Sequence, residues 1–253
     1  MKLIQNQPAS SWAQAFPVGN QEMACRVYGG PGEERIDLAE KRFLALRDGK
    51  VSRGKACVGR LLIKNCSDEE TEEYRRELDL QAGTVSAQWR DGQGLTKAAA
   101  FMPRAYKIMV YEITRPSNDL NVRITYVPEN QEDYIYYNIG GLFFTSSLSG
   151  HILCGKAALY TNGFPKADEE GIFIKNASRV ALYIMLDMGE DSGEGIKAML
   201  DLQMAMNRIL VNMESRSLNE LREGPMGNMK VYQKMAKRLE KGLPSKWKDG
   251  FVE

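Results

Sequence analysis

From residue 23 to about residue 187 the chain is a succession of short extended runs cut by turn residues, with little helical periodicity. That pattern restricts the fold to a sandwich or barrel of antiparallel strands. Residues 23–28 stop at Gly29, Gly30, Pro31 and Gly32, which permit positive φ or preset φ, and an extended run resumes at residues 34–38. A hairpin is predicted there. A second hairpin is predicted for residues 84–89 and 95–102 around Asp91-Gly92-Gln93-Gly94, because Asp-Gly tolerates left-handed turn geometry.

Residues 107–114 and 121–127 alternate apolar side chains (Ile108, Val110; Val122, Ile124), which predicts one buried and one wetter face. Arg115 to Asn118 separate the two runs. A meander continues through residues 134–139, 142–148 and 152–160, and a last pair, 173–174 and 180–186, turns at Asn176-Ala177. More than ten strands exceed what one open twisted sheet usually carries, so two facing antiparallel sheets are expected.

The pattern changes after Gly189. A polar hinge over residues 190–195 precedes Met199, Leu202, Met206, Ile209 and Met213, whose spacing of three and four predicts an amphipathic helix of about five turns. A second helix is expected over residues 229–241, with Tyr232, Met235, Ala236 and Leu239 on one side. The expected architecture is therefore a mainly β, two-layer antiparallel supersandwich over 1–189, followed by C-terminal linker helices over 190–253.

The opening of the chain carries a family signature. Pro8, Ala9, Trp12, Pro17, Gly19, Asn20, Gly29, Gly30, Glu34, Ile36, Leu38 and Glu40 resemble the N-terminal pattern of glycoside hydrolase family 95, the α-L-fucosidase family. Tyr74 to Asp79 (YRRELD) with Gly83, Thr84 and Val85, and then Gly171 to Leu186, resemble two further blocks in the same order. The sequence departs from the family where Gln21 replaces the second glycine of GNG and Ala39 replaces the asparagine of LNE. The resemblance implies a β-supersandwich that braces a catalytic (α/α)6 barrel, and a parent reaction of inverting hydrolysis of terminal α-L-fucosyl or related bonds. The acid and base of that family belong to the barrel, so this chain is expected to end near the linker and to be inactive alone.

Composition excludes several alternatives. The 253 residues carry a formal net charge of +1, which gives no broad field for nucleic acid or anionic lipid. The first residues lack a basic region followed by an apolar run, and no stretch approaches the roughly 18 apolar residues of a membrane helix, so a cytoplasmic protein is expected. Cys25, Cys57, Cys66 and Cys154 form no CxxC pair and His151 is the single histidine. Neither a metal site nor any other cofactor is expected.

Candidate site residues follow from the signature and from chemistry. Gly19, Asn20, Glu34 and Glu40 are candidates for a cleft or interdomain interface, and no residue is assigned a catalytic role. Glu34 and Glu40, six apart, share a strand face, where a structural task for both carboxylates is the ordinary outcome. The acidic run Asp68 to Glu73 reads as a solvated connector. Trp12, Trp89 and Tyr136 are candidates for stacking on sugar rings, set against the commoner fate of core packing. Arg75 and Arg76 read as partners of Glu77 and Asp79, and His151 as a turn residue. Expected partners are the parent's barrel, carbohydrate and a second copy of the chain through its C-terminal helices. Two other functions stand beside this one: a free-standing carbohydrate-binding sandwich, and a protein that assembles through those helices.

Overall fold

The computed structural model describes residues 1–20, 23–40, 57–66, 70–103, 106–129, 134–148, 150–190, 195–214 and 251–252. Its strands are β1 (Lys2–Gln5), β2 (Phe16–Gly19), β3 (Met23–Val27), β4 (Glu33–Glu40), β5 (Gly59–Asn65), β6 (Tyr74–Asp79), β7 (Thr84–Asp91), β8 (Gly94–Phe101) and β9 (Met109–Thr114). They continue as β10 (Leu120–Pro128), β11 (Tyr134–Asn138), β12 (Gly141–Leu148), β13 (His151–Thr161), β14 (Phe164–Asp168), β15 (Gly171–Ala177) and β16 (Arg179–Glu190). The helix α1 (Gly195–Glu214) follows, and β17 (Phe251–Val252) adds a short strand.

These strands form two antiparallel sheets. The larger has ten strands in the order β11-β12-β13-β16-β9-β8-β7-β6-β1-β17, and the smaller has seven in the order β14-β15-β10-β5-β4-β3-β2. The expected two-layer antiparallel sandwich is what the chain forms. Both predicted hairpins are present: β3 with β4 across the glycine-rich turn, and β7 with β8, where Asp91 pairs with Gly94 around Gly92-Gln93.

Of the strands not foreseen, β1 and β17 are short, β5 and β6 run seven and six residues inside their sheets, and two others carry a proline. β2 contains Pro17 and β14 contains Pro165, and they are the two edges of the seven-stranded sheet. An edge strand has one unpaired side, so a residue without an N–H donor is tolerated there.

The main core lies between the sheets and includes Leu3, Phe16, Ile36, Leu38, Leu61, Trp89, Tyr111, Ile124 and Phe144. At its centre Tyr126 of β10 stacks on Phe144 of β12, with ring centroids 3.9 Å apart and planes 15° from parallel. Each ring lies over a glycine. A Cβ on Gly59 would overlap the Tyr126 ring, and one on Gly155, paired with Phe144 in register, would overlap the Phe144 ring. These glycines are positions of close approach, where ring volume replaces side chain.

A second cluster occupies the outer face of the ten-stranded sheet: Phe101, Ile108, Val110, Phe143, Cys154, Ala158, Ala181, Tyr183 and Met185, closed by Met206 and Leu210 of α1. The predicted stripe packs as expected, with Met199, Leu202 and Ile209 partly buried against this cluster. The side chain of Met213, the expected helix over residues 229–241 and the hinge over residues 191–194 lie outside the described residues.

The second cluster also explains a difference from the alternation in the sequence. Five of the six residues of β9 are buried, with Tyr111 in the main core and Val110 under the α1 cluster, so neither face of that strand is wet. His151 opens β13 opposite Glu190 and is not a turn residue.

Candidate functional site

The signature residues converge where β3 turns into β4. Gly29 takes φ of 74°, a conformation that glycine reaches without Cβ strain, and this aims successive amides at one carboxylate. Tyr28 N and Gly29 N donate to Glu34 Oε1 at 3.0 and 2.9 Å. Glu34 is buried, and burial pushes its carboxyl up to about 8 although those two amides favour the charged form. From the opposite sheet the Tyr74 hydroxyl donates to Gly29 O at 2.5 Å.

Arg76, two residues along β6, holds the N-terminal loop. Its Nε donates to Gln7 O at 2.7 Å, its second nitrogen donates to Gln14 O at 3.0 Å, and the guanidinium lies 4.4 Å above the Phe16 ring. Only Arg75 takes the expected acidic partner, bonding Glu77 at 3.0 Å. Arg76 instead satisfies backbone carbonyls, because its parity turns it inward where Arg75 faces out.

A cleft of about 300 Å³ opens on the outer face of the seven-stranded sheet. Register sets Arg26 of β3, Asp37 of β4 and Arg60 of β5 side by side. Asp37 accepts Arg35 Nε at 2.6 Å, a second Arg35 nitrogen at 3.0 Å, and the Tyr28 hydroxyl at 2.9 Å. The Arg35 guanidinium covers the Tyr28 ring at 4.6 Å, and Arg26 covers the Trp12 ring at 4.1 Å. On the far wall Glu129 Oε2 bonds Arg60 at 3.3 Å and the Cys57 thiol at 3.4 Å. Ser11 and Trp12 complete the lining.

The electrostatics of this cleft suit binding better than bond cleavage. Burial first, and then the neighbouring Glu129 charge, push the Cys57 thiol up to about 12, so it is a proton donor and not a thiolate nucleophile. Burial and the bond to Asp37 likewise raise Tyr28 to about 12. Opposite charges are paired within each wall of the cleft, Arg35 with Asp37 and Arg60 with Glu129.

The other candidates are placed as follows. Gly19 ends β2 and Asn20 makes the turn into β3, donating its N–H to Met23 O at 2.9 Å and accepting from Met23 N through Oδ1 at 2.8 Å. Glu40 is buried at the end of β4 opposite Met23. Glu34 and Glu40 share a face but, six residues apart on one strand, their Cα atoms are about 20 Å apart. An inverting carboxylate pair needs about 6.5–9.5 Å, so these two cannot form one. Trp89 is 2% exposed and packed in the main core, where it offers no ring face to a sugar. Tyr136 stands on the edge strand β11, 51% exposed beside Tyr134. Trp12 alone of the three lines the cleft. Asp68 and Glu69 lie outside the described residues.

The sequence matches the glycosyl hydrolase family 65 N-terminal domain over residues 3–51 and 45–187. The chain belongs to this family. The family 95 assignment drawn from the opening signature is not supported, although the kind of domain it implied, an N-terminal β-sandwich of a glycoside hydrolase, is the kind found. Comparison with curated proteins finds no match. Among solved structures, the family 65 domain is similar to a putative kojibiose phosphorylase from the human microbiome, with a TM-score of 0.53 and 10% identity. The likeness covers 92% of this chain and 37% of that one, and at such identity it concerns the fold.

Within the family 65 domain, the residues that sequence reading missed are Arg35, Asp37, Arg60 and Glu129. A signal existed in EERIDLAE, where Arg35 and Asp37 share the face opposite Glu34 and Glu40. Nothing local linked them to Arg60 or Glu129, which arrive through β5 and the end of β10.

Proposed function

We propose that this chain is the non-catalytic N-terminal sandwich of a family 65-type enzyme and that it buttresses an (α/α)6 barrel through the outward side of α1. The observation that carries this reading is the family match over residues 3–187 together with the helix that follows it. One side of α1 closes the outer cluster, while Leu200, Met204 and Val211 remain exposed at 48, 54 and 63%. A helix apolar on both sides is suited to lie between two bodies. The same stripe supports self-association of the chain when no barrel is present.

The parent reaction in this reading is cleavage of an α-glycosidic bond. Phosphorolysis of a kojibiose-like disaccharide is favoured by the name of the similar structure, and inverting hydrolysis of an α-L-fucosyl bond is the alternative suggested by the opening signature. The cytoplasm is the proposed compartment, in keeping with four free cysteines. Assays of the purified chain with kojibiose plus phosphate, and with a chromogenic α-L-fucoside, are expected to show no turnover. Turnover of either by the chain alone overturns the non-catalytic reading. Light scattering of Leu200→Glu/Met204→Glu against the parent chain tests the stripe: reduced self-association is expected, and an unchanged association state removes α1 as a contact surface.

A further inference from the structure

We propose that the cleft on the outer face of the seven-stranded sheet is a binding subsite for a neutral saccharide of one or two rings. Its volume of about 300 Å³ is at the small end of ligand pockets, a size suited to such a molecule. Trp12 supplies the flat apolar surface that a sugar's C–H face needs, and it is 37% exposed. That ring is held in place before any ligand arrives. Arg26 backs it at 4.1 Å, Ser11 O accepts the Gln14 and Ala15 amides at 3.0 and 3.2 Å, and Arg76 fastens the same loop at Gln14. A preordered platform loses less conformational freedom on binding.

The polar wall fits hydroxyl groups. Among the lining residues Arg35 is paired with Asp37 and Arg60 with Glu129, so the wall offers alternating donors and acceptors, while Arg26 stands behind the Trp12 ring and donates to Ala15 O at 3.0 Å. Cys57 and Arg60 both bond Glu129 through Oε2, which leaves Oε1 an acceptor among the described residues. Arg60 Nε is buried and without a hydrogen-bond partner among the described residues. A hydroxyl, which donates and accepts at once, serves both: it donates to Glu129 and accepts from Arg60 after a small movement of that side chain. Tyr134 and Tyr136 are more exposed than Trp12, but they stand on an edge strand and do not line this cleft.

This subsite does not depend on the catalytic reading, and calorimetric titration of the full chain with maltose and with methyl α-glucoside tests it. Saturable binding of at least one is expected, weakened about tenfold in Trp12→Ala as a stacked ring is lost. Glu129→Gln, a mild and partly exposed change, is expected to weaken binding several-fold, while Tyr136→Ala leaves it unchanged. Inorganic phosphate is expected not to compete. The proposal falls if neither sugar saturates the chain, if binding survives Trp12→Ala and Glu129→Gln in folded protein, or if phosphate displaces the sugar.

Discussion

The Tyr74 hydroxyl donates to the carbonyl of Gly29 across the two sheets, joining β6 of the larger sheet to the β3–β4 turn of the smaller. Tyr74 and Gly29 lie 45 residues apart in sequence, and the bond fixes the turn whose amides bind Glu34. Tyr74→Phe removes this bond while keeping the ring. It is expected to cost about 1 kcal/mol, read as a lower urea midpoint with an unchanged slope.

Glu34 gives the domain a pH dependence of unusual sign for a carboxylate. Its folded pKa, pushed to about 8, lies above the ordinary 4.5. The folded state therefore binds more protons than the unfolded chain between those values, and stability falls as pH rises through that window. Glu34→Gln keeps an oxygen for the Tyr28 and Gly29 amides and cannot ionise. The variant is expected to match the parent near pH 4.5 and to exceed it by roughly 1–3 kcal/mol at pH 9 in denaturation curves. A parent whose stability rises from pH 5 to 8 relative to the variant contradicts this.

Arg115 tests the buried charge at the second hairpin. It is 1% exposed, reaching Asp91 at 2.5 Å, Thr96 at 2.7 Å and Gln93 at 2.7 Å, and it closes the β7–β8 turn from β9's end. Arg115→Met strands the Asp91 carboxylate. A loss of about 3–5 kcal/mol is expected in chemical denaturation, and a double variant with Asp91→Asn recovers part of it.

Gly155→Ala drives a methyl group into the Phe144 ring and through it into Tyr126. Overpacking of this kind costs about 1–3 kcal/mol, and differential scanning calorimetry is expected to show a lowered Tm. Gly32→Ala meets open space and serves as the control.

The legible part of this chain was whatever its chemistry expresses locally. Asp91-Gly92 announced a hairpin because the turn itself demands those residues, and the Met199–Ile209 spacing announced a helix face because one sheet receives it. Glu34 stood out within the signature, and its carboxylate meets the amides of Tyr28 and Gly29 beside the glycine-rich turn. The outer cleft was not, for a physical reason. Arg26, Asp37 and Arg60 meet only through the register of three strands, and register is a tertiary outcome. Trp89 misled for the complementary reason: an indole on an alternating strand reads identically on either face until the second sheet decides which one it covers.

The seam between β9 and β16 gives the ten-stranded sheet a history as well as a shape. β6 to β9 pair with sequence neighbours, but the free edge of β9 is closed only by Arg179–Ile184, after six further strands have been made. Until then Met109–Thr114, covered on both sides in the finished fold, shows an unpaired row of amides and carbonyls. The nascent domain thus passes through a stage at which its most buried strand is its most adhesive edge, and any factor that delays β16 favours intermolecular pairing there.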